Sequence, residues 1–214
     1  KSLVDSGLPA VATGTYRADT RPRANPDRHG SCGPIRTGRI RAVYRTPDMT
    51  TFPLNAWYAA AYDTECGRQL LARTVCGQAM ALYRREDGSA VALDDACWHR
   101  LLPLSQGRLD GDQVVCGYHG LVYNSEGLCT HMPSQDTINP SACVRAYPVV
   151  ERHRFVWVWP GDPALADPAR VPDLHWNHDP AWAADGRLIH VKCDYRLVLD
   201  NLMDLTHETF VHGG

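Results

Sequence analysis

Two pairs of metal-ligating side chains stand out in this 214-residue chain. Cys97-Trp98-His99 is a Cys-x-His pair, and Cys116-Gly117-Tyr118-His119 is a Cys-x-x-His pair. Two thiolates and two imidazoles are the ligand set of a [2Fe–2S] centre in which cysteines hold one iron and histidines the other. The protein then supplies two ligands per iron from two loops approaching a flat rhomb. Imidazoles in place of thiolates raise the potential to about −150 to +300 mV, so such a centre accepts electrons readily and passes them on. Gly117 and Gly120 permit close backbone approach to the sulfides, and Tyr118 is placed to aim its hydroxyl at a cysteine sulfur. Zinc takes the same donors, but usually as Cys-x2–4-Cys followed by His-x3–5-His, whereas here each pair mixes the two. Cys129 and His131 repeat the shorter spacing without a second pair and read as packing and surface residues.

A second constellation lies near the end of the chain, Asp204-x2-His207-x4-His212. Two histidines and a carboxylate form the facial triad of non-haem Fe(II) oxygenases, which leaves open positions for O2 and substrate. His207 and His212 are i, i+5, about 140° apart on a regular helix. A π-bulge, or a helix that ends before His212, is needed to bring both to one metal. Asp200, Asp204 and Glu208 lie too near His207 to serve comfortably as the third ligand. That ligand is expected on residues following Gly214 in a longer chain.

The elements that position these residues read mostly as strand and turn. Met80–Arg85 and Ala90–Leu93 flank Asp87-Gly88, a pair suited to the positive φ angles of a tight hairpin. Gln113–Cys116 and Gly120–Tyr123 read as short strands around the second ligand pair, closed by a turn at Asn124-Ser125-Glu126-Gly127. Tyr147–Glu151 and Phe155–Trp159 form another antiparallel pair with aromatic residues on one face. Pro160, Pro163, Pro168 and Pro172 mark residues 160–186 as a connector. Leu188–Cys193 reads as a strand, and Tyr195–Phe210 carries helix formers without Gly or Pro.

Composition sets the background. A content of 44% hydrophobic and 21% charged residues is that of an ordinary globular protein. No run of eighteen apolar residues is present and no secretory core opens the chain, so a cytoplasmic protein is expected, not a membrane one. The net charge of −2 argues against a nucleic-acid partner. Eight cysteines are too few for a disulfide scaffold, and Cys32, Cys66, Cys76 and Cys143, in no metal-like spacing, read as reduced thiols. Residues 1–48 are rich in Arg, Pro and Gly without periodicity, which predicts a disordered extension or a start site placed upstream of Met49.

From Met49 onward the chain resembles the oxygenase component of Rieske non-haem iron oxygenases of the vanillate O-demethylase and dicamba monooxygenase type. The matching stretches include Asn55-Ala56-Trp57-Tyr58, both ligand loops, Trp157-Val158-Trp159-Pro160-Gly161-Asp162 and Asp200-Asn201-Leu202-Met203-Asp204-Leu205-Thr206-His207. The resemblance implies an α+β protein: an all-β Rieske domain of antiparallel sheets over residues 49–160, then over 161–214 a linker and the beginning of a helix-grip-like catalytic domain. It implies that Cys97, His99, Cys116 and His119 bind the cluster and that His207 and His212 bind a mononuclear Fe(II). Asn201 is then near that iron, and Asp204 bridges a cluster histidine of one subunit to His207 of its neighbour in a homotrimer. Electrons come from NAD(P)H through a separate flavin- or ferredoxin-type reductase. With O2, the enzyme hydroxylates the O-methyl group of a small methoxylated aromatic acid, and formaldehyde leaves. Trp98 stands where the family usually has Pro, and Leu101-Leu102 replace smaller residues. The competing reading is a Rieske ferredoxin-like electron carrier, which needs only residues 49–160 and leaves His207 and His212 unexplained.

Overall fold

The computed structural model describes residues 52–212, so the extension expected at 1–48 and the reading of Cys32 lie outside the described residues. Of these, the residues up to Val171 form one compact unit and those from Pro172 a second.

The first unit is built from three antiparallel sheets. Strands β1 (Tyr58–Tyr62), β10 (Val149–Arg152) and β11 (Phe155–Val158) form one, in the order β1-β11-β10. Strands β2 (Leu71–Val75), β3 (Gln78–Arg84), β4 (Ala90–Asp94) and β9 (Ala146–Tyr147) form the second in the order β2-β3-β4-β9. The third carries the ligand loops: β5 (Arg108–Asp110), β6 (Gln113–Val115), β7 (Val122–Tyr123) and β8 (Cys129–His131), paired in sequence order.

The alternation of strand side chains explains how these sheets share a core. In β3, Met80, Ala81, Leu82 and Tyr83 are all fully buried. Met80 and Leu82 pack with Ala60, Val75, Val156 and Val158, whereas Ala81 and Tyr83 pack with Leu104, Val114, Leu121 and Tyr123 around the ligand cysteines. The middle sheet thus has a core on each face, and one of those cores is the floor of the ligand loops.

The hairpin expected over Asp87-Gly88 is present, with Arg84 paired to Ala90 and Gly88 at φ +88°. The turn after β7 also forms as read: the Asn124 side-chain oxygen accepts the Glu126 and Leu128 N–H groups, and Gly127 takes φ +79°. Strands β10 and β11 pair from Val149–Val158 to Arg152–Phe155, with Phe155 against Trp157 on one face and Val156 and Val158 in the core on the other.

Part of the segment read as connector is packed onto this unit. Trp57 Nε1 donates to the Asp167 carbonyl at 2.8 Å, the Arg170 guanidinium lies over the Trp159 ring, and Val171 is buried. Proline here starts short 3-10 turns at 163–165 and 168–170, each capped by the preceding Asp side chain. Cys66 and Cys76 are buried free thiols as read, but Cys143 is disulfide-bonded and so departs from the reading as a reduced thiol.

In the second unit the strand expected at Leu188–Cys193 does not form. Leu188 and Ile189 are exposed, and no strand among the described residues pairs with this segment to satisfy its backbone groups. The helix expected over Tyr195–Phe210 is interrupted. Helix α1 spans Tyr195–Met203 with Asp194 capping the Arg196 N–H, a 3-10 turn covers Leu205–His207, and α2 spans Glu208–Val211. The break is at Asp204, whose ψ of 85° is not helical and whose side chain restarts the chain by capping Thr206. No helix of the described residues is long and apolar enough to cross a membrane.

Candidate metal centres

The two ligand loops close in the same way although their sequences differ. In the first, the Cys97 N–H donates to the Leu102 carbonyl at 2.9 Å and the Leu101 N–H to the Cys97 carbonyl at 2.8 Å. In the second, the Cys116 N–H donates to Leu121 at 2.8 Å and the Gly120 N–H to Cys116 at 3.1 Å. Each loop is a five-residue excursion from a cysteine, and its fifth residue is left-handed: Leu101 at φ +60° and Gly120 at φ +71°. The histidine lies one residue later in the second loop, so the shared closure is invisible in the spacing.

The cysteines are held inside and the histidines outside. Cys97 and Cys116 are both buried in the core beneath the loops, their thiols close enough to influence each other. The His99 and His119 rings meet edge-on with centroids 4.5 Å apart. Among the described residues no three His, Cys, Asp or Glu side chains converge on one point. A sulfur pair and an imidazole pair suit the two ends of a two-iron rhomb better than one tetrahedral zinc.

Electrostatics agree with that assignment. Burial, with His119 and Arg100 nearby, holds the His99 imidazole below its ordinary 6.5, favouring the neutral form that ligates metal. Burial pushes the Cys97 thiol up, opposed by hydrogen bonds from the Tyr123 hydroxyl and the His99 N–H. The residues present therefore fit the cluster: two enclosed sulfurs with donors already aimed at one of them, and two imidazoles at the surface.

The hydroxyl beside the sulfur is not that of Tyr118. Tyr118 is 63% exposed and its ring lies on that of His119, centroids 3.8 Å apart. Tyr123, fully buried on β7, puts its hydroxyl 3.2 Å from Cys97 Sγ and accepts the Trp98 N–H at 3.2 Å. Proximity in sequence suggested Tyr118, but the loop turns that side chain outward, and the inward-facing tyrosine comes from the strand that follows. Burial and the hydrogen bond to Cys97 push the Tyr123 phenol far above its ordinary value, so it stays a proton donor. A side chain at Gly117 would meet the Gln106 carbonyl at 3.1 Å, and one at Gly120 would meet Pro133 at 3.0 Å. Cys129 is buried with Sγ 3.4 Å from the His131 carbonyl, and His131 is exposed, as read.

In the second unit, α2 ends at Val211, so His212 caps it in a non-helical conformation and its ring reaches that of His207, centroids 5.3 Å apart. His207 Nδ1 is hydrogen-bonded to the Asp204 backbone carbonyl. That fixes the proton on Nδ1 and leaves the Nε2 lone pair for a metal, with Asn201 Nδ2 3.4 Å from it. The Asp204 carboxylate is instead turned to Thr206, whose hydroxyl lies 2.5 Å from Oδ1, and its Oδ2 is 3.9 Å from His207 Nδ1. His207 is thus oriented by the main chain of Asp204, and the side chain remains largely exposed. Among the described residues no third donor joins the two histidines.

Residues 56–148 match the Rieske [2Fe-2S] domain, and residues 191–214 match the vanillate O-demethylase oxygenase C-terminal domain. The vanillate O-demethylase oxygenase subunit of a Pseudomonas species (strain HR199 / DSM 7063) is 47% identical over 162 residues, covering 76% of this chain and 46% of that protein. The iron-sulfur subunit of a toluene-4-sulfonate monooxygenase system from Comamonas testosteroni is 46% identical over 162 residues, covering 75% and 47%. The crystal structure of dicamba monooxygenase bound to dicamba aligns with a TM-score of 0.71 at 47% identity, covering 75% of this chain and 48% of that one. The chain spans about half the length of these relatives.

Proposed function

We propose that the chain, whose residues 56–148 match the Rieske [2Fe-2S] domain, works in the oxygenase component of a cytoplasmic monooxygenase that O-demethylates a methoxylated aromatic acid. In this reading Cys97, Cys116, His99 and His119 hold the cluster, and His207 and His212 hold a mononuclear Fe(II). The observation that carries it is the pair of matched ligand loops, which present two enclosed sulfurs and two surface imidazoles rather than four converging donors. Vanillate, toluene-4-sulfonate and dicamba, which name three relatives at 46–47% identity, are substituted aromatic acids, which favours that class here.

When bound, the cluster supplies one-electron transfer and the mononuclear iron supplies oxygen activation. The work of this chain's own residues follows from their geometry. Tyr123 keeps its proton and donates it toward Cys97, stabilising the added negative charge of a reduced centre. His99 and His119, at the outer edge, would hold the cluster's histidine-bound iron where a separate NAD(P)H-dependent reductase of the flavin or ferredoxin type could reach it. His207 is held in the tautomer that ligates, and Asn201 stands beside its Nε2 to orient substrate or solvent there.

The exposed Asp204 carboxylate serves as the bridge to a cluster histidine of a neighbouring subunit in a homotrimer. Residues 49–160 act as the electron-accepting domain and 161–214 as a linker and the beginning of the catalytic one.

Anaerobic purification followed by optical and electron paramagnetic resonance (EPR) spectroscopy tests the reading. A reduced [2Fe–2S] signal of the mixed Cys/His kind is expected, with a further nitrosyl signal after adding Fe(II) and nitric oxide. A colourless protein containing stoichiometric zinc would remove the oxygenase assignment.

A further inference from the structure

Asp95 is the one buried charged residue among the described residues, 9% exposed, and it stands two residues before Cys97. Its Oδ1 accepts the Ser105 N–H at 2.6 Å and its Oδ2 accepts the Ser105 hydroxyl at 2.7 Å. Asp95 and Ser105 flank the first ligand loop, whose inner closure runs from Cys97 to Leu102. The carboxylate is therefore an outer clasp around the same excursion. It is fixed in turn to the middle sheet, because the Asp95 N–H donates to the Ala79 carbonyl at 3.0 Å.

The far side of the clasp reaches the second loop. Ser105 lies in the 3-10 turn Leu104–Gln106, whose Leu104 is fully buried. At the end of that turn Gly107 passes so near β6 that a side chain on it would stand 2.2 Å from the Val115 carbonyl. Gln106 in turn packs against Gly117 of the Cys116 loop. One carboxylate thus ties the first loop to the turn on which the second rests. Burying a charge is costly unless hydrogen bonds satisfy it, and none of the ion pairs among the described residues involves Asp95.

Resting on the cluster reading above, we propose that Asp95 is a positioning residue for the centre: its clasp on Ser105 holds the Cys97–His99 loop against the second loop, and its buried negative charge lowers the centre's reduction potential. An anionic neighbour disfavours the added electron, whereas the Tyr123 hydrogen bond favours it. The two groups set the potential from opposite directions.

Two variants separate the two roles. D95N keeps the size of the clasp, since its oxygen still accepts the Ser105 N–H and its amide donates to the Ser105 hydroxyl, but it removes the charge. An EPR-monitored redox titration should show an upward shift in midpoint potential with unchanged iron content and g-values. S105A keeps the charge and loosens the clasp, so iron should pass to a chelator several-fold faster at nearly constant potential, and S105T, which restores the hydroxyl, should return the wild-type rate. A D95N potential equal to wild type, or S105A losing iron at the wild-type rate, overturns the proposal. The wild-type spectrum separates the two levels: a normal [2Fe–2S] signal with unmoved variants overturns only this inference, and its absence overturns the cluster reading and the inference with it.

Discussion

The Tyr123 hydroxyl sits 3.2 Å from the Cys97 sulfur while accepting the backbone N–H of Trp98 at 3.2 Å. The oxygen is thus both acceptor and donor, and its proton is left to point at the sulfur. A hydrogen bond to a cluster sulfur stabilises the reduced, more negative state. Tyr123→Phe is therefore expected to lower the midpoint potential. If the bond is worth ~1 kcal/mol more in the reduced state, the drop is ~40 mV for one electron. A redox titration checks this, and an unchanged potential with intact cluster would remove Tyr123 from the tuning of the centre.

Trp98 supplies something Pro cannot, since Pro has no N–H to donate. Donation into the Tyr123 oxygen polarises its O–H and strengthens the bond to Cys97. Trp98→Pro should lower the potential by less than Tyr123→Phe does. In the Tyr123→Phe background it should change nothing, because the hydroxyl that transmits the effect is gone. Additive shifts in the double variant would show that Trp98 acts by another route, such as packing along the cleft it lines with His99, Met132 and Gln135.

What could be read before folding was whatever depends on local chemistry. Asp87-Gly88 announced its hairpin, Asn124 and Gly127 their turn, and the Cys97/His99 and Cys116/His119 pairs their side-by-side placement. The turn at His153-Arg154 carries no such signal, yet both residues take positive φ, because the strands on either side are already matched in register. Tyr123 and Asp95 were missed for a related reason. Each acts on the cluster loop from a point that only the folded chain brings close, Tyr123 across β7 and Asp95 through Ser105. Their one trace in the sequence is type and place: a tyrosine at the inward position of a strand after the second loop, and an aspartate just before the first.

The same distinction separates the two readings in the second unit. Spacing alone showed that a regular helix cannot bring His207 and His212 together, and the helix end at Val211 answers that requirement. Leu188–Cys193 has the residue types of a strand but no paired neighbour among the described residues, and residue type alone does not hold a strand.

Leu101 occupies in the first loop the left-handed position that Gly120 fills in the second. A side chain with a Cβ is strained there by about 1 kcal/mol or more. Comparing Leu101→Gly with Leu101→Ala cancels the loss of leucine packing. The glycine variant is expected to be the more stable of the two by ~1 kcal/mol, read from denaturant midpoints at equal m-value. The mirror substitution Gly120→Ala should destabilise, since φ is +71° and Pro133 stands 3.0 Å from the new carbon. Equal stabilities of Leu101→Gly and Leu101→Ala would show that the loop relaxes out of the left-handed region at no cost.

Asp204 contributes its backbone and its carboxylate to different tasks. The backbone carbonyl holds His207 Nδ1, and the carboxylate caps Thr206 while staying open to solvent. Asp204→Asn leaves the carbonyl in place and keeps an oxygen for the cap, so Fe(II) binding at His207 and His212 should be close to wild type. What changes is the negative charge that the proposed bridge would offer to a neighbouring subunit's cluster histidine. If that charge is the bridge, reoxidation of the reduced cluster by O2 and substrate slows by ~10–100-fold, the range found when a group one step removed from a metal ligand is altered. Rapid-mixing spectroscopy of the cluster chromophore, with iron content measured in parallel, reads the two effects separately. Wild-type reoxidation in Asp204→Asn would take the carboxylate out of the electron path and leave its backbone carbonyl, which orients His207, as the residue's only part in the site.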